Sequence, residues 1–255
     1  MTVKDFETFS QLHYKDELLL IGNVWDVTTA KIFEANGFKA IATSSAALAN
    51  ALGYEDGQQL PFDLLLETVT RINKAVSIPL SVDMERGYSE TIPGILHNIE
   101  KLYDAGAVGI NIEDSLPDKN VRTCESFQKI ISSIAAFGIK KNMPLFINAR
   151  TDSFLLKDPN ALSETISRVQ AYEAAGAHGI FVPYLCEIAD IKKIVEATSL
   201  PVSVFCMANL PGFKALSNAG IKRVSMGTSL FRYLNNAMNK VLLEIQDKQS
   251  AASLF

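Results

Sequence analysis

The chain of 255 residues predicts a single-domain α/β fold, a (β/α)8 or TIM barrel. Eight short apolar segments alternate with helical patterns, and no shift in composition marks a second domain, so we expect one barrel over residues 1–255. Four times a helical pattern ends at a glycine and the next apolar segment follows, at Gly37, Gly106, Gly176 and Gly220. Glycine tolerates the left-handed conformation that ends a helix. The apolar segments are typical of parallel strands buried on both faces.

The strands are predicted where short apolar segments lie between turn residues. The third is the start of the segment 78–88, which follows a proline and ends in acids. The eight predicted strand segments are 18–26, 39–45, 78–88, 108–114, 145–152, 179–183, 201–206 and 223–227.

The helices are predicted from apolar residues at helical spacing and from their end signals. Pro61 opens one helix, and Thr123 can cap another that ends at Gly138. An N-terminal amphipathic helix and a C-terminal helix flank the barrel. The predicted helical ranges are 1–16, 27–35, 61–72, 91–105, 123–138, 158–176, 186–197, 211–218 and 228–247. We expect connections over 46–60 and 115–122, and frayed residues after 247.

The composition excludes several classes of protein. The net charge of −4 comes from intermixed acids and bases, so no basic surface for nucleic acid is expected. No apolar stretch approaches a membrane span, and the N-terminus lacks a signal-peptide pattern. The three cysteines are widely separated and odd in number, which indicates a reduced, cytoplasmic chain.

Two acids follow the third predicted strand, in Ile78-Pro-Leu-Ser-Val-Asp-Met-Glu-Arg-Gly-Tyr88. Asp83 and Glu85 are two residues apart, so in an extended strand their side chains point to the same side. Two buried carboxylates on one face are costly unless a positive charge lies between them. A divalent cation would supply that charge. The alternative is a solvated loop or an ion pair with Arg86.

Further acids end the next two strands, at Glu113, Asp114 and Asp152. Active sites of such barrels lie at the carboxyl ends of the strands, and adjacent strands are about 4.8 Å apart. Neighbouring carboxylates can therefore share one ion, and oxygen ligands without His or Cys favour Mg²⁺ over zinc. Arg150 adds a planar guanidinium suited to a carboxylate or phosphate. The alternative is a closed ion-pair network of Arg150 with Asp152 or Glu113.

The histidines and the cysteine near this end are weaker candidates. His13 lies in the first polar segment, His97 lies within a helix, and His178 precedes strand six at the opposite end of the barrel. We expect packing or surface roles for all three. Cys124 lies at a predicted helix N-terminus, a position that lowers a thiol pKa, but packing is its favoured role.

Five segments carry a resemblance to a known family: Thr43-Ser-Ser-Ala-Ala-Leu-Ala49, Gly53-Tyr-Glu-Asp56, Val82-Asp-Met-Glu-Arg-Gly-Tyr88, Gly109-Ile-Asn-Ile-Glu-Asp-Ser115 and Asn148-Ala-Arg-Thr-Asp152. In this order and spacing the chain resembles the isocitrate lyase and phosphoenolpyruvate mutase superfamily over nearly its full length. The resemblance implies a (β/α)8 barrel, Mg²⁺ with Mn²⁺ as an alternative ion, and a small anionic 2-oxo or 2-hydroxy acid substrate. It also implies a homo-oligomer, a dimer or tetramer, in which C-terminal helices pack across subunits.

The resemblance implies a substrate-binding set. Ser44, Ser45 and Ala46 look like the cradle for the substrate carboxylate. Trp25 looks like a wall of that pocket, and Arg150 looks like the substrate-binding arginine.

It also implies a set of acids around Mg²⁺. Asp83, Glu85 and Glu113 look like the metal ligands, some of them through water, and Asp56 lies with them. Arg150, Glu113 and Asp56 are the implied catalytic residues of an enolate-stabilising reaction.

The loop after strand four departs from the family pattern. Relatives that cleave isocitrate or methylisocitrate carry a Lys-Lys/Arg-Cys-Gly-His segment there, whose cysteine acts as acid or base. Here the loop reads Ser115-Leu-Pro-Asp-Lys-Asn-Val-Arg-Thr-Cys-Glu125, and it also lacks the Asn-Ser pair of the mutases. Glu85 stands where many relatives have Asp, and Pro183 where mutases have a histidine.

We therefore expect a Mg²⁺-dependent lyase or decarboxylase that cleaves or forms a C–C bond next to a 2-oxo carboxylate, on an oxaloacetate- or methylisocitrate-like substrate. Enolate chemistry of this kind needs the metal site but no cysteine acid. One alternative is phosphonomutase-type P–C chemistry on a phosphonopyruvate- or carboxyphosphonoenolpyruvate-like substrate. The other is a barrel that binds a dicarboxylate without turnover.

Overall fold

Eight parallel strands close into a barrel in the computed structural model, which describes residues 3–118 and 120–255. Each strand pairs with its neighbours in sequence and the last pairs with the first, so no strand edge stays open. The strands are β1 (Leu19–Val24), β2 (Ile41–Thr43), β3 (Leu80–Asp83), β4 (Gly109–Glu113), β5 (Phe146–Arg150), β6 (Gly179–Phe181), β7 (Val202–Phe205) and β8 (Ile221–Ser225). The predicted (β/α)8 barrel is confirmed.

Helices cover the outside of the barrel. The α-helices in the described residues are α1 (Val3–Leu12), α2 (Val27–Ala35), α3 (Ser45–Ala51), α4 (Phe62–Ala75), α5 (Ile92–Asp104), α6 (Cys124–Lys141), α7 (Ala161–Ala174), α8 (Ile188–Glu196), α9 (Phe213–Asn218) and α10 (Ser229–Lys248). A 3₁₀ helix, Ala251–Leu254, follows α10. None of the described helices is long and apolar enough to cross a membrane.

The predicted glycine stops are confirmed in the backbone. Gly37, Gly106, Gly176 and Gly220 have φ values of 79°, 99°, 95° and 95°. An L side chain is strained in this conformation. At Gly106 there is also no room, because an added Cβ would lie 2.1 Å from Asn73 Nδ2. These glycines therefore fix where a helix ends and the chain turns into the next strand.

The predicted connection over 46–60 is wrong in its first half, where α3 forms. Ser44 is the N-cap of α3, and its hydroxyl accepts from the backbone N–H of Ala47 at 3.4 Å. Alanine has the highest helix propensity, and α3 contains four alanines among its seven residues. A capped, alanine-rich segment therefore favours a helix over a loop.

Other predicted ends shift by a few residues. The first helix ends at Leu12 rather than at residue 16, and residues 1 and 2 of its predicted range lie outside the described residues. Strand eight lies at 221–225 rather than 223–227, because Ile221 already pairs with Val202. Part of the segment after 247, expected to be frayed, forms the 3₁₀ helix, which Ser250 caps.

A small apolar cluster closes the amino end of the barrel. It joins residues of α1 to inward-facing strand residues: Phe9, Leu12, Leu19, Ile21, Ala40, Ala42, Val108 and Phe146. Glycines make room for its rings, since a Cβ at Gly109 would lie 3.1 Å from Phe9 Cε1 and one at Gly179 would lie 2.9 Å from Phe146 Cε1. Helix α1 thus closes the structural end, and the opposite end stays open.

A polar layer crosses the barrel interior above this cluster. Asn148 Nδ2 donates to Asn111 Oδ1 at 2.8 Å, and Arg223 Nη2 donates to the same oxygen at 3.4 Å. Arg223 is 1% exposed, and burial lowers its pKa to about 10, an effect that the nearby Asp83 carboxylate opposes. The interior therefore carries a buried cation beneath the end where the predicted acids lie.

The buried ring of His13 makes the fold sensitive to acid. It stacks on Phe146 with ring centroids 4.3 Å apart, and its Nδ1 donates to the Phe9 carbonyl at 2.9 Å. Burial, and then the charge of Arg223, lower the His13 pKa from 6.5 to about 3. Because the unfolded chain binds this proton more readily, stability present above pH 6.5 is lost progressively as the pH falls towards 3.

We expect His13→Asn, which keeps an N–H for the Phe9 carbonyl but cannot titrate, to be less sensitive to acid than the wild type. Between pH 7.5 and 5 its free energy of unfolding should fall by about 2 kcal/mol less. Urea unfolding at each pH measures this difference, with His97→Asn at an exposed position of α5 as the matched control. Parallel pH profiles of wild type and His13→Asn would contradict a neutral, buried His13.

Candidate active site

Two adjoining cavities lie at the carboxyl ends of the strands. The larger has a volume of about 780 Å³ and the smaller about 210 Å³. Ser45, Asp56, Arg150 and Leu155 line both, so the two cavities form one site with two lobes. A further cavity of about 420 Å³ lies near α5 and α6 and contains none of the predicted site residues. The open end of the barrel is therefore the candidate active site.

Asp83, the last residue of β3, has one carboxylate oxygen without a partner. Its Oδ2 accepts from Ser45 Oγ at 2.7 Å, and its backbone N–H donates to Thr43 Oγ1 at 2.9 Å. Its Oδ1 is shielded from solvent and has no hydrogen-bond partner among the described residues. Burial raises the Asp83 pKa, and Arg150 opposes that shift. A buried carboxylate oxygen without a donor is a place where a cation fits.

Glu85 reaches the site by a different route from the one predicted. Strand β3 ends at Asp83, and Glu85 has φ of 48°, so the two acids are not neighbours on one extended strand. The turn is held because the Glu113 N–H donates to the Glu85 carbonyl at 2.9 Å. Tyr88 Oη donates to Glu85 Oε1 at 2.9 Å. Burial, followed by the charges of Asp83 and Glu113, raises the Glu85 pKa to about 8.

Arg150 binds two carboxylates at once. Its Nε and Nη2 donate to the two oxygens of Asp152 at 2.7 and 3.0 Å, and its Nη1 lies 2.9 Å from Glu113 Oε2. Although burial acts to lower it, the charges of Glu113 and then Asp152 raise the Arg150 pKa well above its usual value. The ion-pair network considered from the sequence is therefore present. The two hydrogen bonds to Asp152 and the ion pair with Glu113 do not use all five guanidinium N–H groups, so Arg150 can also donate to another anion.

Arg86 does not neutralise Asp83 and Glu85 as the sequence alternative proposed. Its Nη2 donates to the Gly57 carbonyl at 2.9 Å, and its Nη1 lies 3.9 Å from Glu113 Oε1. Arg86 and Tyr88 both line the larger cavity and were missed as site residues. In the sequence, the sign of their role was that both lie just after Glu85 in the segment 78–88. Only a left-handed turn, which the sequence does not specify, brings them to the site.

Asp114 points away from the cavities although it follows the strand that ends in Glu113. It accepts from Tyr172 Oη at 2.7 Å and from Arg168 Nη1 at 3.2 Å, both on α7. Its other oxygen accepts from the Asp152 N–H at 3.0 Å. Burial raises the Asp114 pKa, while the hydrogen bond from Tyr172 acts to lower it. Asp114 thus attaches α7 to the backbone of the residue that holds Arg150.

The other predicted site residues lie at the same end of the barrel. Ser44, Ser45 and Ala46 line the smaller cavity, with the Ser44 hydroxyl capping α3. Asp56 lines both cavities. Burial raises its pKa, and the negative charge of Glu113 raises it further. Trp25 follows β1, where its ring packs edge-on against Phe231 of α10 at 5.0 Å between centroids. Trp25 is not among the described residues that line these two cavities.

The donor set fits a hard divalent cation that keeps much of its water. No three His, Cys, Asp or Glu side chains in the described residues form a ready cluster for a metal ion. Glu113 faces Arg150 and Glu85 faces Tyr88, so Asp83 offers the free oxygen. Mg²⁺ characteristically binds one or two carboxylates and retains several waters. The residues present therefore suit Mg²⁺ better than an ion that needs a complete protein ligand shell.

The cysteines and the remaining histidines lie outside this constellation. Cys124 begins α6, but burial raises its thiol pKa, so the predicted lowering at a helix N-terminus is wrong. The desolvation of the thiol outweighs the helix terminus there. His178 accepts from the Ile147 N–H at 3.2 Å at the amino end of β5, and His97 is exposed on α5, as expected.

The sequence and the fold of this chain are similar to those of known proteins. A family model described as phosphoenolpyruvate phosphomutase matches residues 9–246. The 2-methylisocitrate lyase of Escherichia coli K12 is 27% identical over 256 residues, which cover 94% of this chain and 84% of that enzyme. The oxaloacetate decarboxylase of Rhodopseudomonas palustris BisB18 is 32% identical over 190 residues, which cover 71% of this chain and 63% of that enzyme. A solved Burkholderia cenocepacia J2315 protein, proposed to be a phosphonomutase, is 35% identical with a TM-score of 0.87, covering 95% of this chain and 99% of that chain.

We expect Asp114→Ala to lower the free energy of unfolding by about 3–5 kcal/mol. It leaves the buried Arg168 guanidinium with only the half-exposed Glu164 carboxylate at 3.5 Å, and it removes the acceptor of Tyr172 Oη. Urea unfolding with an unchanged m value measures this loss. The control is Glu67→Ala in the exposed Glu67–Arg71 pair, which should cost less than about 1 kcal/mol. A loss at Asp114 no larger than that of the control would show that its contacts do not hold α7 on the barrel.

Proposed function

The chain belongs to the phosphoenolpyruvate phosphomutase family, and from this we propose that it is a Mg²⁺-dependent lyase or decarboxylase that breaks or forms a C–C bond next to a 2-oxo carboxylate through an enolate. Membership in this family of lyases and mutases makes the chain an enzyme and bears out the resemblance seen in its sequence. The observation that carries the proposal is Asp83 Oδ1, which has no partner in the described part of the chain and belongs to a residue that lines the smaller cavity together with Arg150.

The number of buried acids at this end of the barrel supports a bound metal ion. Asp56, Asp83 and Glu85 all have raised pKa values, with burial as the first cause in each. In our proposal Asp83, Glu85 and Glu113 would hold the ion, and the Asp83 oxygen without a partner among the described residues is the one best placed to contact it. Bound Mg²⁺ would supply positive charge next to the oxygen on which the enolate charge develops.

Arg150 holds the substrate in this proposal. It lines both cavities, so its guanidinium could donate to an anion there, and Glu113 and Asp152 fix the plane of the guanidinium. Ser44, Ser45 and Ala46 receive the substrate carboxylate across the smaller cavity from Arg150. A rigid, charged donor aimed at a developing oxyanion stabilises it without reorganisation.

C–C chemistry is favoured over P–C chemistry by the names of two relatives. Within C–C chemistry, the state of Cys124 favours an oxaloacetate-like substrate, because the family resemblance implies a cysteine acid or base for methylisocitrate cleavage. Burial raises the Cys124 thiol pKa, so this side chain is not an activated acid–base group. Stabilisation of an enolate by the metal and Arg150 requires no cysteine. The relatives named 2-methylisocitrate lyase and oxaloacetate decarboxylase support an oxaloacetate- or methylisocitrate-like substrate.

We expect Mg²⁺ and oxalate together, but neither alone, to raise the midpoint of thermal unfolding, since oxalate is a planar dianion shaped like an enolate of a 2-oxo acid. At 100 times Kd the rise should be about 5–10 °C. Asp83→Asn should abolish it, whereas the matched change Asp104→Asn at an exposed position of α5 should not. Oxaloacetate turnover that needs neither Mg²⁺ nor Asp83 would overturn the metal-centred proposal.

We also propose that the protein is a homo-oligomer in a reducing, cytoplasmic environment. None of the 20 residues of α10 is buried. Its apolar side chains Tyr233, Met238 and Leu243 are 69%, 57% and 66% exposed. Exposed apolar side chains concentrated on one helix are typical of an interface. The three free cysteines support the reducing environment.

The double variant Met238→Glu/Leu242→Glu places two charges one turn apart on α10. We expect it to reduce the mass measured by light scattering from a dimer or tetramer to the 27.9 kDa of one chain. The control is Ile139→Glu on α6, where the side chain is 83% exposed. A wild-type mass of one chain would exclude the proposed oligomer.

A further inference from the structure

Asn111 is a buried polar residue of the smaller cavity that no step of the proposed function uses. It lies on β4 two residues before Glu113, so both side chains point into the barrel. Its Cα pairs in register with those of Asp83 on β3 and Asn148 on β5. Asn111 is 4% exposed and lines the smaller cavity together with Asp83 and Arg150. Its amide therefore lies beside the groups proposed to bind the metal and the substrate.

The hydrogen bonds around Asn111 fix the direction of its amide. Arg223 Nη2 lies 3.4 Å from one end of the amide, and a guanidinium carries only donors, so that end is the oxygen. Asn148 Nδ2 donates to the same oxygen at 2.8 Å. Ser203 fixes Asn148 in turn, since its hydroxyl donates to the Ile180 carbonyl at 2.8 Å and accepts from Asn148 Nδ2 at 3.5 Å. Turning the Asn111 amide over would bring donor against donor at both contacts.

The Nδ2 group of Asn111 is then the end of the amide that can serve a ligand. It donates to no residue in the ranges 3–118 and 120–255 that the structure describes, and it is not among the fully enclosed atoms without a partner there. Even Asp83 Oδ1, on the neighbouring strand, does not accept from it. Because Asn111 lines a cavity, this accessible donor faces that cavity. A buried amide donor without a protein acceptor suits an oxygen of a ligand.

Arg223 holds this arrangement at a cost to stability. It is 1% exposed, and none of the ion pairs between described residues includes it. Burial lowers its pKa to about 10, so it remains charged at neutral pH. Its Nε and Nη1 have no partner in the described part of the chain, and the side-chain hydrogen bond that it makes goes to Asn111. A costly buried cation with this one polar contact indicates that the contact serves the site beside it.

We propose that Asn111 is a further substrate-binding residue, whose amide N–H groups donate to an oxygen of the 2-oxo acid, and that Arg223 is the positioning residue that orients this amide. The inference rests on the proposed function, which places the acid between the Ser44–Ala46 segment and Arg150. Asp83, which would contact the metal, is the register partner of Asn111. The Asn111 donors thus meet the oxygen-bearing head of the acid from the interior of the barrel.

A neutral donor at this position complements the charged groups around it. Arg150 brings a positive charge to the acid, whereas the Asn111 amide adds a hydrogen bond without a charge. An amide held in place by Arg223 and Asn148 can stabilise a developing oxyanion without reorganisation. Hydrogen bonds to charged acceptors are stronger than those between neutral groups. The contribution of Asn111 should therefore be large for an anion that resembles the enolate, such as oxalate.

Titration calorimetry of oxalate with Mg²⁺ in excess tests the donor. Asn111→Leu keeps the size of the side chain but cannot donate, and we expect it to weaken oxalate binding about ten- to a hundredfold. The matched control is Asn218→Leu at the exposed end of α9, which should bind oxalate as the wild type does. An affinity of Asn111→Leu equal to that of the wild type would overturn the proposal.

Asn111→Asp separates binding from a role in holding the barrel together. Its carboxylate keeps an oxygen for Asn148 and gives Arg223 an ionic partner, so the midpoint of urea unfolding at pH 7.5 should equal or exceed that of the wild type. Its other oxygen replaces the donor at the cavity, so oxalate should bind at least about tenfold more weakly. If Asn111→Asp kept oxalate binding while Asn111→Leu lost both binding and stability, Asn111 would only hold the barrel, and the proposal would be overturned.

A double-mutant cycle tests the positioning role of Arg223. Arg223→Met replaces the buried cation by an apolar chain, which such sites usually tolerate, and frees the Asn111 amide to turn over. We expect oxalate affinity to fall about tenfold, and Arg223→Lys, which restores a charged donor, to recover most of it. In the Asn111→Leu background Arg223→Met should cause little further loss. An equal loss in both backgrounds would show that Arg223 acts on the anion by charge alone and would overturn its positioning role.

The wild-type titration separates this inference from the proposed function. If the wild type binds oxalate with Mg²⁺ and both Asn111 variants bind it equally well, the role of Asn111 is overturned and the proposed function stands. No binding of oxalate by the wild type with Mg²⁺ would overturn the proposed function itself, and the role of Asn111 with it.

Discussion

One buried guanidinium, that of Arg150, holds together the open end of the barrel. It binds Glu113 at the end of β4 and Asp152 just beyond β5, so a single side chain links two adjacent strand ends. The barrel brings further acids to the same place, and burial raises the pKa values of Asp83 and Glu85. Arg150 cannot neutralise all of them. The site therefore carries an excess of negative charge, and a bound divalent cation would balance it.

The sequence was sufficient for the architecture and for the location of the site. Glycine at four helix stops and short apolar strands indicate a parallel α/β fold, and the count of eight strand–helix units identifies it as a (β/α)8 barrel. Once the barrel is assumed, Asp83, Glu113 and Arg150 must meet at one face. The helix α3 was missed because its cap, Ser44, was assigned to the end of strand two and its alanines to a connection identified by polar residues and glycines. In this segment the high helix propensity of alanine outweighed a composition that is typical of a loop.

The direction of one acid beyond a strand end could not be predicted. Glu85 lies in a left-handed turn, so the two-residue alternation of a strand does not apply to it. Asp114 follows an inward residue and points outward, to Arg168 and Tyr172 of α7, as the alternation itself indicates.

Phe181 and Phe205 were missed for another reason. They look like ordinary core residues in a sequence, and only the closed barrel shows that they line the smaller cavity.

The missing Cys-Gly-His segment agrees with the place where charge develops in the proposed decarboxylation. When a 2-oxo acid such as oxaloacetate loses CO2 from C3, the electron pair of the broken C–C bond moves towards the oxygen at C2. The negative charge then develops beside Arg150 and the acids that suit Mg²⁺. The departing CO2 carries no charge and needs no acid on its side of the cavity. Cleavage of a methylisocitrate-like substrate would instead leave the electron pair on the departing group, which would need an acid there, so the absence of the segment favours the oxaloacetate-like substrate.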